Sequence, residues 1–140
     1  LTGKADRIDK MNDGTYAIID YKSGFVPENS AVRSGLSPQL PLEALIANEG
    51  GFEALGKRHV NLLAYVRLSG GKTAGEIIEY KKGIVETTAK TRAGLLRRIA
   101  KFDRAETPYF SRTHVKLTTE KRDYDHLARV AEWSGRVEDE

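Results

Sequence analysis

Near the start of the chain the apolar positions gather into one dense run, Ala17-Ile18-Ile19, within Thr15-Tyr16-Ala17-Ile18-Ile19-Asp20-Tyr21. β-Branched and aromatic residues at this density mark a strand, and three apolar residues in succession mark one buried on both faces. Residues 1–11 place apolar side chains at Leu1, Ala5, Ile8 and Met11 with poor alternation. Asn12-Asp13-Gly14 between the two stretches is a hairpin signal, because Asp-Gly suits the positive φ of a tight turn. The pattern predicts two antiparallel strands joined there.

Residues 23–38 are rich in Ser, Gly, Pro and Asn and read as a long loop. A helix follows from Ser37 or Leu40 to about Asn48, with Leu42, Leu45 and Ile46 as its apolar face and Pro38 and Pro41 competing to mark its first turn. Strands are predicted over Val60–Leu68 and Glu76–Tyr80, with Gly70-Gly71 turning the chain between them. The clearest helical spacing lies in residues 87–104, where Leu95, Leu96, Ile99 and Phe102 repeat at helical intervals. Residues 108–118 read as extended or irregular, and Asp123 to Trp133 as a last helix with Leu127, Val130 and Ala131 on its apolar side. The order ββ-α-ββ-α-α predicts a mixed α/β or α+β domain spanning residues 1–140.

Composition narrows the chemistry more than the class. There are no cysteines, which excludes disulfides, thiolate zinc sites, iron–sulfur clusters and Cys nucleophiles within these residues. The net charge of +3 permits a polyanionic partner without requiring one. No apolar run is long enough to span a bilayer, and the opening Leu1-Thr2-Gly3-Lys4 has no signal-peptide character. Lacking an initiator Met and opening in a strand, the chain reads as a fragment of something longer.

The candidate chemistry lies in the hairpin. Asp20 and Lys22 share a face of their strand, by the period of two. A turn centred near residue 13 sets Asp6 almost opposite Asp20, and Asp9 opposite about residue 17. Two carboxylates brought together repel unless a cation joins them, and Mg²⁺ suits such an oxygen-donor site. A bound divalent ion lowers the pKa of water and offsets phosphate charge, while Lys22 can steer or deprotonate a water or stabilise an oxyanion. Asp-x-Lys alone is as much the mark of a half-exposed strand with surface ion pairs. The full set of Gly-x-x-Asp, turn, apolar run, Asp-x-Lys, loop and Gln helix is far more restrictive.

Four segments carry a family resemblance: Gly3-Lys4-Ala5-Asp6-Arg7-Ile8-Asp9, Ile19-Asp20-Tyr21-Lys22-Ser23-Gly24, Pro38-Gln39-Leu40-Pro41-Leu42-Glu43-Ala44 and Tyr124-Asp125-His126-Leu127-Ala128-Arg129. Together they resemble the PD-(D/E)XK nuclease superfamily in its RecB-like branch, most closely the nuclease domains of AddB-type subunits of helicase–nucleases. The resemblance implies a restriction-endonuclease-like core, a mixed β-sheet flanked by helices. It implies Asp6 and Asp20 as metal-binding acids, the backbone carbonyl of Tyr21 as a further ligand for Mg²⁺ or Mn²⁺, Lys22 as the catalytic lysine and Gln39 as the Gln that opens the family's helical motif. That motif usually has a Tyr four residues on, where this chain has Glu43. The acidic or His residue that the family carries on a helix before Gly-x-x-Asp has no counterpart in these residues, and the iron–sulfur cluster of some relatives has no ligands here. The resemblance further implies exonucleolytic cutting of DNA in double-strand break repair, an AddA-like partner subunit and a cytoplasmic setting. The alternative is a catalytically silent DNA-binding or docking module of the same fold.

Other charged and aromatic groups read two ways. Lys90, Arg97, Lys101 and Arg104 recur on one helical stripe, a candidate phosphate-binding face or simply a solvated one. Tyr109, Phe110, Arg112, Lys116, Lys121 and Arg122 could stack on bases or pack a core. His59, His114 and His126 lack metal-ligand spacing, and Gly70-Gly71-Lys72-Thr73 lacks the upstream Gly of a phosphate loop.

Overall fold

The structure, a computed structural model, describes residues 2–70 and 75–109. Within them run β1 (Arg7–Lys10), β2 (Tyr16–Lys22), α1 (Asn29–Ser34), α2 (Gln39–Glu49), β3 (Val60–Arg67), β4 (Glu76–Tyr80) and α3 (Ile84–Phe102). The strands form one mixed sheet in the order β1-β2-β3-β4. The outer pairs β1/β2 and β3/β4 are antiparallel, and the central pair β2/β3 is parallel. Contacts divide the chain after residue 101, so residues 102–109 belong to a second unit, where Phe102 stacks on Tyr109. The predicted helix at 123–133, and His114, His126 and the residues of the 108–118 stretch from Phe110 on, lie outside the described residues.

The first hairpin forms as its turn chemistry dictates. Gly14 takes φ 83°, and the Asp13 carboxylate accepts hydrogen bonds from the Thr15 amide (2.9 Å) and hydroxyl (2.6 Å). Those two bonds hold the Asp13 carboxyl below the usual carboxylate range. The register pairs Arg7 with Ile19 and Asp9 with Ala17, so the next step toward the open end sets Asp6 against Asp20.

A parallel pair needs a crossover, and α1 and α2 supply it between β2 and β3. Here the structure corrects the loop reading of 23–38, since Asn29–Ser34 is a helix. It is six residues long and buries only Val32, too little for a hydrophobic period to register, and Gly35 ends it at φ 80°.

Helix α2 begins at Gln39, between the two predicted starts, with Pro38 before it and Pro41 in its first turn. Its buried face is Leu40, Pro41, Glu43, Ala44 and Ala47, not the predicted Leu42, Leu45 and Ile46, which are half-buried. The spacing 40, 43, 44, 47 is a proper helical stripe; two small residues and a carboxylate hid it from a reading by size and hydrophobicity. The helix ends in a Schellman motif: Gly50 at φ 85° donates to Ala47 O (3.2 Å) and Gly51 to Ile46 O (2.8 Å).

Ile18 and Asp20 of β2 and Leu63 and Tyr65 of β3 stand side by side, in register, on one sheet face. Ile18, Leu63, Tyr65, Tyr80 and Val60 pack with Val32 of α1, Leu40, Ala44 and Ala47 of α2 and Ile84 of α3 into a single core. Asp20 therefore sits at the end of a row of core positions, under the first turn of α2.

Helix α3 starts three residues earlier than predicted and ends at Phe102, leaving Arg104 beyond it. Its buried side chains are Ile84, Thr87 and Thr88, with the Thr88 hydroxyl donating back to Ile84 O (2.9 Å). The expected apolar face fares differently: Leu96 is 49% exposed and Ile99 55% exposed. Helical periodicity located the helix, but not the face it buries. No helix among the described residues is long and apolar enough to cross a membrane.

Candidate active site

The open end of the β1–β2 hairpin and the first turn of α2 bring together Asp6, Asp20, Lys22, Gln39 and Glu43. Asp20 is 2% exposed. Its Oδ1 accepts a hydrogen bond from Gln39 Nε2 (2.5 Å), and its Oδ2 stands 2.7 Å from Lys22 Nζ. That second contact is an ion pair with a poor hydrogen-bond angle, so Asp20 Oδ2 remains a buried oxygen without a hydrogen bond. Lys22 Nζ also donates to Gln39 Oε1 (3.0 Å) and lies 5.6 Å from the centroid of the Tyr65 ring. Asp20, Lys22 and Gln39 thus close a three-membered ring of contacts in which one amide serves both charges.

Asp6, just ahead of β1, accepts the Tyr21 N–H at its Oδ2 (3.1 Å). This bond locks the hairpin's open end and aims the Asp6 carboxylate at the Asp20-Tyr21-Lys22 backbone. Asp9 stays out of the site: Arg7 grips it with Nε to Oδ1 and NH2 to Oδ2, both 2.8 Å, and donates to the Tyr21 hydroxyl at 3.3 Å. Those contacts raise the Arg7 guanidinium still further above its ordinary value.

Glu43 had been singled out only as the residue in a usual Tyr position. It lies one helical turn after Gln39, is 6% exposed, and accepts from Gln39 Nε2 at its Oε1 (3.3 Å), while its Oε2 has no hydrogen bond. Burial pushes its carboxyl above the usual range; the Gln39 bond opposes that shift, and the charges of Asp20 and Asp6 reinforce it. Its position four residues after Gln39 was the signal, since both must then share a helix face. Tyr65 is fully buried beneath Lys22, and burial raises its phenol, with Asp20 and Glu43 adding to the shift. Ser37 opposes that shift, although its geometry falls short of a hydrogen bond.

Among the described residues no three His, Cys, Asp or Glu side chains stand close enough together to hold a metal ion as they are. The carboxylates of Asp6, Asp20 and Glu43 are nonetheless the oxygen donors that suit a hard divalent cation, and Asp20 Oδ2 and Glu43 Oε2 are buried without hydrogen bonds. Gln39 bridges Asp20 and Glu43, and Lys22 pairs with Asp20.

The remaining candidates are dispersed. Lys90, Arg97 and Lys101 are exposed on α3, Arg104 is exposed beyond its end, and Lys90 pairs with Glu86 (2.6 Å). The His59 carbonyl accepts the Tyr16 amide at the start of the β2/β3 pair (2.9 Å).

A sequence profile of the PD-(D/E)XK nuclease superfamily matches residues 1–132. The chain belongs to this superfamily. The observed mixed four-stranded sheet flanked by helices is the restriction-endonuclease-like α/β fold expected of it. PD-(D/E)XK nucleases typically use divalent metals such as Mg²⁺. An uncharacterized protein of Rickettsia bellii is 31% identical over 110 residues, covering 69% of this chain and 13% of the relative. Uncharacterized proteins of Rickettsia conorii and Rickettsia typhi are each 42% identical over 52 residues, covering 37% of this chain and 6% of the relative. The chain thus spans only a small part of the length of these relatives. No solved structure matches it.

Proposed function

We propose that this PD-(D/E)XK chain hydrolyses DNA phosphodiesters with a divalent cation, and that Asp6, Asp20, Lys22 and Gln39 form its active site. The observation that carries the reading is the Asp20–Lys22–Gln39 ring at the end of β2, with Asp6 set against it by the hairpin register. Asp6, Asp20 and the Tyr21 carbonyl would hold Mg²⁺ or Mn²⁺. Such an ion, when bound, acidifies water and neutralises charge on the scissile phosphate.

The chain's own groups supply the rest. The Lys22 side chain is 29% exposed, so it reaches solvent at the rim, and its ammonium lies over the Tyr65 ring, 5.6 Å from the centroid. From there the ammonium can donate to a phosphate oxygen or orient an attacking water, and only after losing its own proton could the amine accept one from that water. Without metal, Gln39 holds Lys22 through its carbonyl and Asp20 through its amide, keeping both groups in place at the end of β2. The Tyr21 amide holds the Asp6 carboxylate at the mouth of the site.

The Asp6-Arg7-Ile8-Asp9 motif supports the narrower placement in the RecB-like branch beside AddB-type nuclease domains. On that placement the 140 residues are one nuclease domain, the activity is exonucleolytic, the setting is cytoplasmic, and the chain works with an AddA-like helicase–nuclease subunit in end resection at double-strand breaks.

The test is cleavage of end-labelled single-stranded and duplex DNA with Mg²⁺ or Mn²⁺, comparing wild type with Asp20→Ala. Cleavage lost in a variant that still melts cooperatively supports the site. Equal cleavage by the variant removes it. A wild type that binds DNA and does not cut under any metal favours the alternative, a silent binding module.

A further inference from the structure

Glu43 stands where the family's motif usually has a Tyr, and the structure buries it beside the site rather than in solvent. We propose that Glu43 is a ligand of the divalent cation, joining Asp20 at the place now held by the Gln39 amide nitrogen. The proposal rests on the metal-dependent reading above and adds a carboxylate to it.

The geometry is that of a bridge. A single nitrogen, Gln39 Nε2, lies 2.5 Å from Asp20 Oδ1 and 3.3 Å from Glu43 Oε1. A cation placed there faces the same two oxygens. Oxygen ligands stand about 2.0–2.1 Å from Mg²⁺ and about 2.3–2.6 Å from Ca²⁺. The Glu43 carboxylate therefore has to close in by only about an ångström once the amide swings aside, a shift within one side-chain rotation.

The electrostatics point the same way. Asp6, Asp20 and Lys22 all lie within electrostatic reach of Glu43. With the three carboxylates ionised and Lys22 protonated the group carries a net charge of −2, which the neutral Gln39 amide does not offset and a divalent ion would. Glu43 is more than nine-tenths buried, and its Oε2 has no hydrogen-bond partner. A carboxylate at that depth is costly unless something satisfies it. Asp20 Oδ2 also lacks a hydrogen bond, although it is paired with Lys22 Nζ at 2.7 Å. A cation at the position of Gln39 Nε2 would face the other oxygen of each carboxylate, Asp20 Oδ1 and Glu43 Oε1.

The helix makes the placement specific. Gln39 and Glu43 are one turn apart, so the residue that now occupies the bridge and the residue that would help replace it are stacked on one face of α2. An upstream acidic ligand is not needed for a third carboxylate if α2 supplies it.

The test uses the full chain and Mn²⁺ alone. Free Mn²⁺ is counted by electron paramagnetic resonance for wild type, Glu43→Gln and Asp20→Asn, and the bound ion is examined for hyperfine coupling to ¹³C placed at the glutamate side-chain carboxyls. The expected result is ¹³C coupling in wild type that Glu43→Gln removes, Mn²⁺ affinity lowered about tenfold or more by Glu43→Gln, and binding lost in Asp20→Asn. Wild-type Mn²⁺ without ¹³C coupling overturns the proposal even if Glu43→Gln weakens binding, because the charge then acts from outside the ligand shell. In that case loss of Mn²⁺ in Asp20→Asn leaves the nuclease reading standing. Failure of wild type to take up Mn²⁺ overturns both. The wild-type coupling also decides the matter if Glu43→Gln does not fold.

Discussion

Asp20 and Lys22 are two residues apart on one strand face, yet Asp20 is almost wholly buried and Lys22 reaches solvent at the rim. The strand ends at Lys22, and the length of the Lys side chain spans the change in environment. Replacing Lys22 with Met keeps a similar unbranched length and removes the charge. Cleavage should fall by roughly 10²–10³, as when a donor to a developing oxyanion is lost. Single-turnover rates at saturating metal measure this, and an unchanged rate would take Lys22 out of the chemistry. Glu43 gives a prediction of opposite sign for stability. Its folded carboxyl binds a proton more tightly than the ordinary 4.5, chiefly because it is buried. The stability that protonation confers is fully present below the unfolded value and is lost as pH rises through the folded one. Metal-free wild type should therefore lose ground to Glu43→Gln as pH climbs from about 4.5 toward neutrality. Urea unfolding in chelator across that range checks it, and parallel curves for the two proteins would show that the Glu43 charge is not felt. At this scale Asp6, Asp20 and Lys22 were legible because strand period and turn position together fix which side chains meet. Glu43 was not, because a glutamate on a helix ordinarily faces water, and only the packed structure shows which face α2 turns inward.

Among the elements, α2 carries most of the site's precision. Its first residue is Gln39, its buried stripe seats it on β2 and β3, and its far end is tied down by Asn48, whose side-chain carbonyl accepts the Val60 amide (3.1 Å). The Schellman ending depends on Gly50, whose positive φ disfavours any L side chain. A Cβ there would also stand 3.0 Å from Lys57 Cγ and 3.3 Å from Lys57 N. Gly50→Ala should cost about 1–2 kcal/mol, read from denaturant midpoints at constant slope. A cost near zero would mean that the loop after α2 reshapes freely. Strands β3 and β4 were legible to within a residue, since dense β-branched and aromatic runs bounded by glycines leave few alternatives. Helix α1 was not, since six polar-rich residues bury one side chain and leave no period to read. In α3 the spacing of Leu95, Leu96, Ile99 and Phe102 announced a helix, yet the residues it buries are Ile84, Thr87 and Thr88 at its start. Periodicity reports the presence of an apolar stripe, whereas burial depends on what the rest of the chain brings to it.

For the molecule as a whole, the chain carries +3, and its exposed cations on α3 make a modest basic stripe. If Arg97 and Lys101 contact the backbone of a bound single strand, Arg97→Gln with Lys101→Gln should flatten the plot of log affinity against log salt by about 0.7 per contact, roughly 1.4 for the pair. Fluorescence anisotropy with catalytically silenced Asp20→Asn protein at several salt concentrations measures the slope, and an unchanged slope identifies the stripe as a solvated face. The parallel pairing of β2 with β3 has a further consequence, in the order of assembly. Residues 23–59 separate the two strands, whereas β1 and β2 are joined by a tight turn. Local hairpins close early, and distant parallel pairs must first overcome the entropy of a long loop. A chain leaving the ribosome therefore has Asp6, Asp20 and Lys22 facing one another well before Tyr65 floors the site and α2 seats Gln39 and Glu43 above it. If the proposed site is the active one, it is therefore completed late, only when the crossover has closed.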